Sequence, residues 1–164
     1  MAPIIASGFG SSAAANGTEG AKAAAISSIA LAGRWSGHYY GYGSHGSDAC
    51  AGTGCSLTYD VVACADGWCG ISVTSDQTCG RIGVRLAVDP KAAGRMAFKG
   101  KLELAKGSAP YTVEAWYHEE EGTANLHLLG DTGPELLLMR RSFPFEAQLS
   151  RTGEAQCTLE KAMS

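Results

Sequence analysis

The sequence predicts an all-β fold, an antiparallel up-and-down β-barrel of about eight strands behind a flexible Ala/Gly/Ser-rich N-terminal segment. Three observations carry it. From Arg34 onward apolar residues recur with period two, turn residues recur about every ten positions, and no helical periodicity longer than Lys22–Ala32 is visible.

The clearest strand sets Met96, Phe98, Gly100, Leu102 and Leu104 against Arg95, Ala97, Lys99, Lys101 and Glu103, one face for a core and one for water. The same alternation aligns Leu57, Tyr59, Val61 and Ala63, then Ile82, Val84, Leu86 and Val88, then Tyr111, Val113, Ala115 and Tyr117. Between them stand Asp66-Gly67, Asp89-Pro90 through Gly94, Lys106 through Pro110, Glu121-Gly122 and Thr132-Gly133-Pro134, all turn formers. Candidate strands fall near 34–42, 55–64, 69–75, 82–88, 95–104, 111–118, 124–130, 135–141, 145–150 and 155–159. Closing such hairpins into a barrel removes exposed edges.

At 164 residues the chain accommodates one domain, read here as 33–164, preceded by a leader over 1–32. The leader carries only Glu19 and Lys22 as charged side chains, and its small residues bury too little area to offset their ordering entropy. Its end, Lys22 through Ala30-Leu31-Ala32 before Gly33, resembles a weak secretory signal with an A-x-A cleavage site; the alternative is a leader retained on the mature chain.

Thirteen Lys+Arg against 16 Asp+Glu give a net charge of −3, so no basic surplus exists for nucleic acid. No run reaches the ~18 apolar residues of a transmembrane helix.

The six cysteines fit three disulfides. With Asp66-Gly67 as a two-residue turn, Cys64 faces Cys69; carrying that register outward leaves Cys55 one residue from facing Cys79, which a bulge would correct. Cys50 and Cys157 remain and would staple the first and last parts of the barrel. The alternative is zinc, since Cys50-x4-Cys55 and Cys64-x4-Cys69 resemble two ligand pairs. Disulfides imply an oxidising compartment, periplasmic or secreted.

Leu31-Ala32-Gly33-Arg34-Trp35-Ser36-Gly37 places a G-x-W at the first strand. This resembles the calycin superfamily of lipocalins, avidins and bacterial metalloprotease inhibitors, small antiparallel barrels that open on such a strand. The resemblance implies structural roles for Gly33 and Trp35 at the closed end, with a late-strand Arg packed over the Trp; Arg151 is chosen over Arg140 and Arg141. The bacterial inhibitors are nearest, with a small-residue leader running into L-A-G-x-W. They imply a protease as partner and the N-terminal trunk as inhibitory segment. The chain departs from them in its insertion from Gly41 to Gly54 and its six cysteines.

A barrel of this kind acts by binding. Trp35, Tyr39, Tyr59, Phe98, Tyr111 and Tyr117 are the candidate lining for a small apolar ligand, with a protein partner as the other target. Docking of the N-terminal arm into a larger assembly is a further alternative. His38, Tyr39, Tyr40, Tyr42 and His45 form an aromatic segment read as strand followed by loop. His38, His45 and Asp48 lack the fixed spacing of a metal site, and no metal or cofactor is expected. His127 is expected outward between two inward leucines, and His118 with Glu119, Glu120 and Glu121 at a solvated hairpin tip. No Ser sits in a strand-to-helix elbow and no free Cys–His pair is evident, so no catalytic residue is assigned. Asp48, Asp60, Asp66, Asp76 and Asp131 read as ordinary residues near turns and strand ends.

Overall fold

The computed structural model describes residues 31–41, 55–92, 97–132 and 143–162. Eight strands follow one another: β1 (Gly33–Gly41), β2 (Cys55–Cys64), β3 (Gly67–Val73), β4 (Cys79–Val88), β5 (Ala97–Leu102), β6 (Tyr111–Glu120), β7 (Thr123–Thr132) and β8 (Phe143–Gly153). Each pairs antiparallel with its neighbours in sequence, and β8 returns to β1 to close the barrel. A short helix, α1 (Leu159–Ala162), packs on β4.

The period-two pattern becomes an inside and an outside. Trp35, Tyr59, Val61, Val84, Leu86, Phe98, Leu102, Val113, Leu126, Leu128, Phe145 and Leu149 form one continuous buried core. Eight strands enclose a lumen about wide enough for side chains to fill. The Tyr59 ring lies so close to Gly83 that a Cβ there would stand 2.9 Å from its phenol, so the glycine makes room for the ring.

The outward positions of β6, β7, β8 and β1 are mostly polar, the reverse of a membrane barrel's pattern. No helix among the described residues is long and apolar enough to cross a membrane.

Several expected elements shift. The β2–β3 register sets Cys64 opposite Gly67 and Val62 opposite Cys69. The turn is therefore Ala65-Asp66, with Gly67 at φ 137° opening β3, and not Asp66-Gly67. A two-residue slip preserves which face each side chain occupies. Cys64 and Cys69 thus stay on one face and are bridged, with Cα atoms 5.8 Å apart.

The same slip overturns the Cys55–Cys79 pairing. The β2–β3 ladder ends at Tyr59–Ser72, so Cys55 has left β3 behind and pairs instead with Tyr39 of β1. Cys79 bonds Cys157 across a sequence separation of 78. That bridge also excludes Cys50–Cys157. Cys55 is itself disulfide-bonded, and Cys50 lies outside the described residues. With these cysteines in disulfides, the zinc alternative does not hold for them.

The expected strand 155–159 is not a strand. The barrel is already closed by β1–β8, which leaves no ladder for this segment, and its backbone finds other partners. The expected strand 135–141 lies outside the described residues.

At the β6–β7 hairpin Glu121 (φ 50°) and Gly122 (φ 78°) both take positive φ, the two-residue primed turn that matches strand twist.

Candidate functional site

The six residues expected to line a ligand site all point inward, but they pack against other side chains. Trp35 is fully buried, and its ring meets Tyr117 edge-on at 6.2 Å. Tyr59, Phe98 and Tyr111 are each at most 3 % exposed. Tyr39 stacks on Phe145 at 5.7 Å, and Tyr111 meets the same ring at 5.0 Å. This Tyr39–Phe145–Tyr111 group sits at one end of the barrel beside Gly41. Tyr39 is half-buried there, and desolvation raises its phenol pKa.

At the opposite end Leu31 is fully buried, and its carbonyl accepts a 2.8 Å hydrogen bond from the Trp35 indole N–H. Arg151 is the register partner of Trp35. Its guanidinium lies over Gly33, where a Cβ would stand 2.4 Å from Nε, and it donates to Glu154 at 3.0 Å. Burial, with the Glu119 hydrogen bond second, pushes the nearby Tyr117 phenol up to about 12.

A groove of about 770 Å³ opens on the outer wall across β1, β8, β7 and β6. Barrel register builds it in rungs. One runs Ser36, Ser150, Asn125, His118; the next runs His38, Gln148, His127. Three of the chain's four histidines line it, with Glu120 and Glu146. His127 Nε2 lies 3.0 Å from Glu146 Oε1, and Ser150 donates to Asn125 at 2.8 Å.

Gly37 lets the floor close. A Cβ there would stand 1.9 Å from the Gln148 carbonyl oxygen, so strands β1 and β8 approach only because the side chain is hydrogen. Tyr40, 54 % exposed, also lines the groove.

The outward positions of β6, β7 and β8 hold Glu114, Glu120, Asp131 and Glu146 and no Lys or Arg. No described group of three His, Cys, Asp or Glu is arranged to hold a metal ion. Tyr42, His45 and Asp48 lie outside the described residues, as does residue 1 through residue 30 of the leader.

Alternation already placed His127 outward. That His38, His118 and His127 share one groove follows from register across four strands and had no linear signal.

Asp60 corrects the reading of it as an ordinary residue near a strand end. It sits within β2 at 0 % exposure, on the outer side of the strand, under the segment that follows β8. Its carboxylate accepts two hydrogen bonds from Arg34, at 2.7 and 2.9 Å, and one each from the Gln156 and Cys157 backbone N–H groups, both 2.8 Å. Burial alone would raise its pKa; Arg34 and the two backbone donors outweigh this and hold it below the usual carboxylate range. An Asp flanked by Tyr59 and Val61 in an apolar strand is the one linear clue.

No family model, curated protein or solved structure matches the chain.

Proposed function

We propose that the chain is a calycin-like binding barrel of an oxidising, extracytoplasmic compartment, periplasmic or secreted, that docks a Lys- or Arg-bearing segment of a protein partner in the β1–β8–β7–β6 groove. The observation that supports this is the contrast between inward side chains that pack into one buried apolar core and an acidic, polar outer groove of about 770 Å³ without an outward Lys or Arg on β6, β7 or β8. Such a field attracts cationic segments and orients them through carboxylate and imidazole acceptors. The disulfides support the compartment. The binding role, as opposed to catalysis, rests on the lack of a nucleophile elbow or Cys–His pair in the sequence.

The test is titration of the full chain with a mixed Lys/Arg peptide and with its Glu counterpart. The expected result is saturable, salt-sensitive binding of the basic peptide only, weakened several-fold by Glu120→Gln with Glu146→Gln. Equal binding of both peptides, or an unchanged affinity in the double variant, overturns the reading.

A second reading is a small apolar ligand at the Tyr39, Tyr111 and Phe145 end, favoured by the half-buried Tyr39 ring. An apolar fluorophore should then bind saturably and be lost in Tyr39→Ala.

A further inference from the structure

We infer that the Cys64–Cys69 disulfide is a thiol–disulfide exchange site, opened by a small thiol that attacks Cys64 and expels Cys69 as a thiolate held by Arg85. The inference is independent of the groove on the opposite wall.

Cys64–Cys69 and Cys79–Cys157, the two bridges with both cysteines among the described residues, differ in what they hold. Cys79–Cys157 spans a separation of 78 residues and ties the segment after β8 to the barrel. Cys64–Cys69 spans a separation of 5, within a hairpin whose ladder already runs from Tyr59–Ser72 to Cys64–Gly67. Cross-link stabilisation grows with the loop closed, so the short bridge contributes less to the fold and opening it releases almost no chain.

The two sulfurs also differ. Cys69 is 0 % exposed, whereas Cys64 at the strand end is half-buried, so a thiolate from solvent reaches Cys64. Arg85, the register partner of Cys69 on β4, places Nη1 3.3 Å from Cys69 Sγ. Its own register partner on β5 is Lys101, so the row running outward from Cys69 is cationic. A guanidinium at hydrogen-bond distance lowers the pKa of a thiol, and a thiol of lower pKa leaves faster.

A thiolate RS⁻ forms a bond to Cys64 Sγ while the Sγ–Sγ bond breaks and its electron pair passes to Cys69, whose thiolate accepts from Arg85. A second RS⁻ then attacks the RS sulfur of the mixed disulfide, releasing RSSR and the Cys64 thiolate. Two external thiols are oxidised and one protein disulfide is reduced. Re-attack by Cys69 on the mixed disulfide reverses the first step.

The experiment poises the full chain in glutathione buffers of graded ratio, quenches with acid, alkylates, and maps each cysteine by peptide mass. The expected result is that Cys64–Cys69 opens first while Cys79–Cys157 stays closed, with glutathione adducts on Cys64 and not on Cys69. Arg85→Gln should shift the midpoint roughly tenfold toward more reducing buffer, and Arg85→Lys should restore most of it. Simultaneous opening of both bridges overturns the inference, as do adducts on Cys69 or an unchanged midpoint in Arg85→Gln. A far-UV spectrum unaltered on opening separates exchange from unfolding.

Discussion

Arg34 on β1 grips the fully buried carboxylate of Asp60 on β2 through two hydrogen bonds, 2.7 Å from Nε and 2.9 Å from Nη2, while the same carboxylate receives the backbone of Gln156 and Cys157. One buried anion thereby joins the first strand, the second strand and the chain that leaves the barrel. Asp60→Asn should cost about 3 kcal/mol, because Arg34 loses its partner in a largely buried setting. Denaturant unfolding of the two proteins checks it.

The sign of the pH dependence follows from the lowered Asp60 pKa. The ion pair contributes fully above the ordinary Asp value of 3.8 and is lost as pH falls below it through the folded-state pKa. The stability gap between the native chain and Asp60→Asn should therefore be constant from neutral pH down to about pH 5 and close in stronger acid. A gap that persists undiminished at the acid extreme contradicts the assignment.

Leu31 plugs the end of the barrel and accepts the Trp35 N–H. A chain beginning at Gly33 should lose about 2–3 kcal/mol, from Leu burial and one hydrogen bond. Trp35 emission should shift to the red as its ring gains water. An unchanged unfolding midpoint would show that Leu31 is dispensable.

The long disulfide should be the structural one. Cys79→Ser with Cys157→Ser should lower stability by about 4 kcal/mol on the chain-entropy argument for a loop of 78 residues. Thermal unfolding of the double variant, without reductant, reads this directly.

Gly37 sets the groove floor. Gly37→Ala should cost about 1–3 kcal/mol, because its Cβ must displace the Gln148 carbonyl from 1.9 Å and so force β1 from β8. The closing seam should loosen first, seen as faster amide exchange in β1 and β8 than in β3.

By itself the sequence determined the all-β barrel class and the inward faces of its clearest strands, since period-two alternation at Phe98, Leu102, Val113 and Ala115 admits one buried side. It also marked Cys64–Cys69 as a local bridge, because two cysteines on one hairpin face stay together even when the register slips by two. Alternation through β1 also made Trp35 legible as an inward residue, and it is fully buried. Only the tertiary structure decided the rest. The partner of Cys79 depended on where the chain runs after β8, and that path is set by Asp60, whose burial no alternation rule reports. The outer groove depended likewise on strand register around a closed cylinder, which brings His38, His127 and His118 together from positions about 80–90 residues apart, or 9 in the hairpin. Local periodicity encodes which side of a strand is dry; long-range register encodes which wet side chains become neighbours, and closure alone fixes it.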